Sequence, residues 1–498
     1  MLDRTTASVA DIAALDAFCV VDAAGPFQNQ DQRFARAVIE AGCHYVDLAD
    51  ARDFVAAFPA LDALAKAHGV LAVTGASSTP ALSHAVIDEL TRGWTRVDSV
   101  EIAISPGNRA PFGLAVIKAI LSYVGRPVRV LRHGRWGQAP GWGLLARKSF
   151  GDLGVRFLSL CETPDLDLVP TRFPSVRTAI FRAGLELSLF HVSIWLLSFL
   201  VRARWMKTLV PLAEPLRDAA AFFRRLGTDC GGMLVEATGI YGDGSRLQAR
   251  WTLIAEAGDG PQVPALPALC VVRALIDGGL SQRGATACVG LIELAAIEEQ
   301  FKRFNIHCER ETRTLERAPL FQRALAGFDQ MPDAVRAAHS PDPACELVGE
   351  VDIDGAESWA AGLIGRAFGF PREGRGLPAS VTIEREEDGE IWIRRFGSAA
   401  FESHLSAGDG ANRLIERFGP VAFDLDARSD ASGFELSIRR AHVFGVPLPR
   451  ALTPSTRANA SVDEHGRYGF DVLITLPLVG RLVRYRGWLE PATSALSP

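Results

Sequence analysis

Apolar residues over the first hundred positions alternate between strand-like and helix-like spacing. Strand-like apolar runs begin at residues 18, 44 and 70, so that each lies 26 residues after the one before, and a fourth run covers residues 99–104. Strands and helices that alternate in this way predict right-handed βαβ units and a parallel sheet over residues 18–104. The predicted helices carry three apolar faces, formed by Phe34, Ala35, Val38 and Ile39, by Phe54, Val55, Phe58, Leu61 and Leu64, and by Leu82, Val86, Ile87 and Leu90.

The regular spacing then stops. Residues 125–180 are rich in Gly, Pro and Arg and predict strands joined by long loops. Residues 233–238 and 250–255 predict paired strands with Asp243–Gly244 as the turn, and residues 269–276 predict a helix. The pattern therefore indicates a second, mixed α/β region after the parallel one.

A charged stretch at residues 311–319 predicts a linker, and the pattern changes beyond it. Two short helices are predicted, over residues 320–326 and 359–368. Elsewhere apolar and polar residues alternate as they do in half-buried strands, most clearly in a hairpin pattern through Asp388–Gly389 and in residues 470–476. We expect a curved antiparallel sheet with the second helix packed on its open face, and a packed core there is favoured over a lipid-like ligand.

An uncharged apolar run extends from Leu187 to Val201 and is followed by Arg202, Arg204 and Lys207. The run is shorter than the roughly 20 residues that a membrane-spanning helix needs. A buried helix is the favoured interpretation. The alternative is a helix that lies in a membrane surface, with basic residues and tryptophans at its margin.

The totals for the chain narrow the class of protein. Its 498 residues predict two or three domains. The net charge of -5 gives no basic excess, so nucleic acid is not an expected partner. The eight Cys form no C-x-x-C pair, which argues against a metal site or a disulfide framework and favours a reducing cytoplasm.

A doubly wound nucleotide-binding domain holds pyrophosphate at a glycine-rich turn after its first strand. No such turn lies near residue 1. Residues 141–146 fit G-x-G-x-x-A, but the segment before them, residues 135–140, is not expected to be a strand, so a surface turn is favoured. We therefore expect the opening strands of the fold and their glycine turn to be missing from this chain, with a late start of the reading frame as the favoured cause.

Two segments carry a resemblance to a known family. Ala23-Ala24-Gly25-Pro26-Phe27-Gln28, followed by His44-Tyr45-Val46-Asp47-Leu48-Ala49-Asp50, resembles the saccharopine-dehydrogenase-like family, and residues 74–80, 259–266 and 283–285 are similar to later segments of it. The match covers residues 1 to about 300. Residues 319–490 resemble a bacterial domain of unknown function that follows such oxidoreductases, in segments 395–397, 416–420 and 478–489.

The resemblance implies an α/β fold: a partial Rossmann-like domain at residues 1–106, an α/β substrate domain at residues 107–315 and a β-rich α+β domain at residues 319–490. It implies hydride transfer with NADP or NAD on a small-molecule substrate, acyl or lipid-like compounds included. A homodimer and a membrane surface remain open as partners.

Candidate cofactor contacts follow the first and third strands. A glycine at the carboxyl edge of a parallel sheet lets the backbone approach a ligand, although an ordinary turn explains it as well. The predicted cofactor-binding residues are Ala24, Gly25, Pro26, Phe27, Thr74 and Gly75.

Candidate catalytic residues follow the second strand. Asp47 and Asp50 could orient a substrate amine or act as acid or base, whereas helix capping is the competing role for Asp50. Tyr45 could donate a proton, but its alternation with Val46 also fits a packed side chain. Arg52 beside them is a candidate substrate-binding residue.

Ser77 and Ser78 precede Pro80 at a predicted helix start. Capping of that helix competes there with binding of an anionic substrate group. The sequence thus leaves two hypotheses, an NAD(P)H-dependent oxidoreductase and a non-catalytic binding protein with a degenerate nucleotide domain. Without a phosphate loop, we expect the chain to bind NADP(H) weakly or not at all.

Overall fold

The computed structural model describes residues 3–110, 114–315, 318–341, 344–386 and 389–492. The chain divides into two compact units, Met1–Thr314 and Leu315–Pro498. In chain order the first unit contains α1 Val9–Ala13, β1 Cys19–Asp22, α2 Arg33–Glu40, β2 His44–Asp47, α3 Arg52–Ala57, α4 Asp62–Ala67, β3 Leu71–Thr74, α5 Ser83–Leu90, β4 Trp94–Ser105, α6 Leu114–Tyr123, β5 Pro127–Arg132, β6 Arg135–Pro140, β7 Ala146–Ser149, β8 Val155–Leu160, α7 Asp165–Arg172, β9 Thr178–Gly184, α8 Ser188–Arg202, α9 Ala213–Phe222, β10 Gly231–Tyr241, β11 Arg246–Ala255, α10 Leu266–Ile276, β12 Gly284–Ala287, α11 Leu294–Phe301 and β13 Ile306–Thr314. The second contains α12 Leu320–Ala324, α13 Asp333–Ala338, β14 Ala344–Asp354, α14 Trp359–Ala367, β15 Gly374–Arg385, β16 Gly389–Phe396, β17 Ala399–Ala407, β18 Arg413–Phe418, β19 Val421–Asp430, β20 Gly433–Val443, β21 Val446–Pro447, β22 Ser455–Val462, β23 Tyr468–Leu476 and β24 Gly480–Pro491.

The first three predicted strands form a parallel sheet in the order β1–β2–β3–β12. β2 and β3 are buried along their whole length, because α2 and α3 cover one face of the sheet and α10 covers the other. The fourth position is taken by β12, a strand from much later in the chain. The α/β class predicted from the alternation of strands and helices is confirmed.

The prediction of a fourth parallel strand at residues 99–104 in this sheet is wrong. That segment is part of β4, which lies in a nine-stranded mixed sheet between β10, its antiparallel neighbour, and β9, its parallel neighbour. β4 is 12 residues long, and its length matches the 11 residues of β10 rather than the four-residue strands of the parallel sheet. The hairpin predicted around Asp243–Gly244 is confirmed by the pairing of β10 with β11.

The segment before the G-x-G-x-x-A match is a strand, which corrects the expectation drawn from its sequence. β6 pairs antiparallel with β5, and the turn after it is buried rather than at the surface. Trp142 is fully buried, and a Cβ on Gly141 would lie 2.3 Å from the carbonyl oxygen of Tyr123. These glycines therefore serve close packing, and the chain continues into β7 instead of a helix.

The second unit is a closed antiparallel barrel and not the open curved sheet that we expected. Its strands follow the order β19–β18–β17–β16–β15–β14–β24–β23–β22–β20, and pairing of β19 with β20 closes the ring. Closure removes the free edges that an open sheet would expose. The predicted hairpin is confirmed as β15–β16, with Asp388 outside the described residues. α14 does not cover an open face; its N-terminus is anchored at the β23–β24 turn by the Ser358 hydroxyl, which donates to the carbonyl of Val479 at 2.9 Å.

The apolar run at residues 187–201 forms α8, which packs part of its apolar surface inside the first unit and exposes another part. Leu189, Leu196 and Phe199 are exposed, while the polar residues His191 and Ser198 are buried. Among the described residues, no helix combines the length and apolar character required to cross a bilayer.

Candidate functional site

The carboxyl ends of the parallel strands bring the predicted residues to one edge of the sheet. Asp22 lies beside Asp47, and Ala287 lies beside Thr74, so the segments that follow these strands leave the sheet on the same side. Gly25, Asp50 and Gly75 belong to those segments. This is the edge at which parallel α/β sheets bind ligands.

Gly25 and Gly75 at this edge differ in whether the backbone around them could accommodate a side chain. Gly75 has φ +73°, and a Cβ there would lie 2.5 Å from Cδ of Pro80. A Cβ on Gly25 would meet only the Phe27 ring, at 3.8 and 3.9 Å, and residues 23–26 are exposed. The fold therefore requires glycine at position 75 but not at position 25, which leaves room above the exposed loop.

Arg4 is a site residue that sequence reasoning missed. Its guanidinium pairs with Asp22 at 2.9 Å, donates to the carbonyl of Ala24 and stacks 4.9 Å from the Phe27 ring. Phe27 itself is buried, and its neighbours Ala24 and Pro26 are exposed. The Arg4 side chain thus holds in place the loop that was predicted to contact a cofactor.

Asp47 binds the neighbouring strand instead of facing open solvent. One carboxylate oxygen accepts hydrogen bonds from the amides of Ala49 and Gly75 and from the hydroxyl of Thr74, at 2.9, 2.7 and 2.9 Å. The side chain is fully buried, and burial raises its pKa to about 6 against the opposing effect of these hydrogen bonds. The geometry makes Asp47 an anchor between β2 and the turn after β3.

Tyr45 lies on the same face of β2 as Asp47, because side chains two residues apart in a strand point the same way. Its ring stacks on Phe58 with centroids 5.8 Å apart, and its hydroxyl donates to Asp22 at 3.2 Å. Burial and the carboxylates of Asp47 and Asp22 raise its pKa well above the ordinary value. Tyr45 is thus packed inside the first unit, and a role in proton transfer stays a prediction.

Asp50 is the titratable residue of the predicted set that remains accessible. It accepts a hydrogen bond from Gln28 Nε2 at 3.2 Å, and desolvation of its carboxylate raises its pKa. Tyr123 and Cys161 form a polar pair within electrostatic reach of it: the Tyr123 hydroxyl donates to Cys161 Sγ at 3.0 Å. Burial chiefly, and Asp50 in addition, raise the pKa of both groups, that of Cys161 to about 12. Neither residue belongs to a sequence motif, so only the fold could pair them.

Arg52 is engaged by the protein itself. Its Nε and Nη2 bind the two carboxylate oxygens of Asp167 at 2.6 Å each, and its Nη1 donates to the carbonyl of Arg129 at 2.8 Å. Its side chain is only 7% exposed. A substrate-binding role for Arg52 stays a prediction, since a substrate would have to replace these contacts.

The predicted serines also differ from expectation. Ser77 precedes the helical turn at residues 78–82 without a side-chain capping bond, so the capping interpretation is not supported for it, and binding of a substrate by Ser77 or Ser78 stays a prediction. Ser83 and His84 follow, close to Asp165. Ser83 donates to Asp165 rather than to His84, and all of these side chains are buried, so they do not form a nucleophile–base pair.

The barrel of the second unit contains a cavity. Its volume is about 280 Å³, and the barrel strands supply most of its wall. Protein interiors contain few voids larger than a water molecule. The barrel therefore combines a buried apolar cluster with a cavity, and the packed core that we favoured over a lipid-like ligand stays a prediction.

Comparison with known proteins assigns the second unit to a described domain. Residues 331–489 match the family model of the domain of unknown function DUF4166, which confirms the expectation drawn from the C-terminal segments. No curated protein sequence matches the chain.

The chain is also similar to solved structures of other proteins. The chain is similar to apo saccharopine dehydrogenase (L-Glu forming) from Saccharomyces cerevisiae, with 12% identity and a TM-score of 0.45 over 63% of this chain and 88% of that one. It is also similar to GenD2 from gentamicin A biosynthesis in complex with NAD, with 13% identity and a TM-score of 0.24 over 62% of this chain and 82% of that one.

Proposed function

We propose that the first unit is an NAD(P)-linked oxidoreductase that acts at the carboxyl edge of its parallel sheet. The observation that carries the proposal is the convergence of Gly25, Asp50 and Gly75 at this edge. The exposed loop at Gly25 has space for a ligand to approach the backbone. A bound nicotinamide would supply hydride chemistry there.

The residues of this chain would contribute proton handling and orientation. Asp50 is accessible and has a raised pKa, so it can hold a proton closer to neutral pH than an ordinary aspartate does. Gln28 orients its carboxylate through the hydrogen bond at 3.2 Å. An acyl or lipid-like compound is the proposed substrate class, by resemblance to the family.

Titration with NADPH, followed by nicotinamide fluorescence, tests the proposal. The turns after β1, β2 and β3 carry no glycine-rich phosphate loop, so we expect weak saturable binding with Kd at or above about 100 µM. Gly25→Leu should abolish it by filling the space above the loop.

Gly137→Leu is the matched control, because Gly137 is also an exposed glycine with free space around it, on the distant strand β6. Unchanged NADPH binding in Gly25→Leu, or none in the wild-type chain at millimolar NADPH, would favour the second hypothesis, a non-catalytic binding protein. Submicromolar binding would show that the expected weakness is wrong.

A further inference from the structure

We propose that the barrel of the second unit is a binding site for an elongated, uncharged lipid, separate from the nucleotide site of the first unit. The cavity volume is about 280 Å³, just below the lower end of the ~300–1,000 Å³ that ligand pockets span. Its wall is made mostly of aromatic and aliphatic side chains, among them Phe368, Phe396, Phe401, Phe423, Val472 and Ile474.

The space inside the barrel is accessible rather than filled by side chains. Phe470, Val472 and Ile474 alternate along β23 and line the cavity, yet they are only half-buried. Inward residues of a packed barrel would be buried as completely as Val381 and Ile383 are on β15. The difference means that β23 borders the open part of the cavity.

The charges in the cavity wall cancel. Arg394 Nη2 donates to Glu416 at 3.1 Å, and the Ser403 hydroxyl, which accepts from Arg394 at 2.7 Å, donates to the same carboxylate at 2.7 Å. A buried ligand charge would find no free counter-charge in this cluster, and burying it would be costly. The cavity therefore favours an uncharged ligand.

His339 adds no charge to the cavity wall. It is 1% exposed and its Nε2 is 3.2 Å from the Tyr468 hydroxyl; within the part of the chain that the structure describes, its buried Nδ1 has no hydrogen-bond partner. Burial lowers the pKa of His339 to about 3, so the ring is neutral. A neutral wall at this position again favours an uncharged ligand.

The barrel also has an apolar entrance. The turns between β20 and β22 and between β23 and β24 lie at the same end, because Ser455 pairs with Thr475. Leu452 lines the cavity and is nevertheless 57% exposed, which places the opening at this end. The exposed apolar residues of this rim are Phe444, Val446, Leu452 and Leu478. These exposed side chains offer an apolar ligand contacts at the opening.

Retinol, an apolar polyene with one hydroxyl, serves as the probe. Quenching of Trp392, which lies in the cavity wall, reports binding to the whole chain. We expect saturable binding with Kd of about 1 µM. Val472→Trp should weaken it about tenfold or more by filling the cavity, whereas Leu473→Trp, on the outer face of the same strand, should leave it unchanged.

Thermal melting establishes that each variant is folded, and Ile474→Phe replaces Val472→Trp if that variant unfolds. Absence of retinol binding by the wild-type chain overturns the proposal. Equal binding by the folded cavity variant and by Leu473→Trp also overturns it, because the ligand would then lie outside the barrel. Neither result bears on NADPH binding, which is measured separately.

Discussion

Arg52 and Asp167 form a two-point ion pair that joins α3, beside the parallel sheet, to α7, beside the mixed sheet. Both N···O distances are 2.6 Å, and Arg129 places a second guanidinium on the same carboxylate, also at 2.6 Å. The arginine predicted to bind substrate therefore links two helices of the first unit.

Replacement of Arg52 by alanine should destabilise the first unit by about 3 kcal/mol, because a carboxylate is left without its bidentate partner. Arg52→Lys should recover only part of the loss, since an ammonium cannot make both contacts. Urea unfolding measures the change. Arg36→Ala, which removes an exposed arginine 3.9 Å from Glu40, is the control and should cost less than about 0.5 kcal/mol. If the Arg52→Ala chain is as stable as wild type, Arg52 has no structural role, and a role in substrate binding would be favoured.

Asp47 should make stability fall as the pH rises from about 4 to about 6. The folded chain keeps the Asp47 proton up to a pKa of about 6, whereas the ordinary value is 3.8, so the folded state binds more protons in this window. The effect amounts to up to about 3 kcal/mol, at ~1.4 kcal/mol per pKa unit. Asp47→Asn keeps the acceptor oxygen and removes the titration, so its stability relative to wild type should rise across the window. Parallel pH curves of the two chains, measured by thermal melting, would contradict this.

Gly25→Ala and Gly75→Ala should have opposite consequences for stability. Alanine at position 25 has space and should change stability by less than about 1 kcal/mol, in the stabilising direction. Alanine at position 75 must adopt a left-handed φ and approach Pro80, at a cost of about 1–3 kcal/mol. Denaturant midpoints of the two variants test the contrast, and equal losses would show that the Gly25 loop is as constrained as the turn at Gly75.

The second unit should fold alone. Expressed as residues 315–498, it should give a strand-rich circular dichroism spectrum and one cooperative melting transition, because its ring of strands closes on itself around its own apolar cluster. Residues 1–314, expressed in the same way, are the comparison. An unfolded fragment 315–498 would mean that the barrel depends on contacts with the first unit.

We also propose that α8 meets a membrane surface, since Leu189, Leu196 and Phe199 are exposed and basic residues follow the helix. The chain should float with vesicles of phosphatidylglycerol and phosphatidylcholine. Phe199→Asp should reduce the bound fraction about tenfold. Leu15→Asp, at an exposed leucine outside α8, should not. Equal flotation of both variants would exclude α8 as the contact.

The sequence by itself determined which segments are strands and helices and where the chain changes class. Repeated apolar runs with helical spacing between them predict β1, β2 and β3 correctly, because a strand buried on both faces must be apolar along its length. The same pattern predicts that Gly25, Asp50 and Gly75 lie at one edge of the sheet, since parallel strands end on one side of their sheet. The alternation of apolar and polar residues after residue 380 likewise predicts the antiparallel domain.

Only the tertiary structure decided which strands pair and which side chains remain available. Chain order suggests β4 as the fourth strand of the parallel sheet, but β12 takes that place and β4 lies in the mixed sheet. Strand pairing depends on matching strand lengths and on contacts with residues far away in sequence. Asp47 and Arg52 look reactive in sequence but are engaged in hydrogen bonds, whereas Tyr123 and Cys161 are paired through folding alone. The barrel cavity is likewise invisible in the sequence. An inward apolar side chain has the same alternation whether it packs against another side chain or borders an empty space.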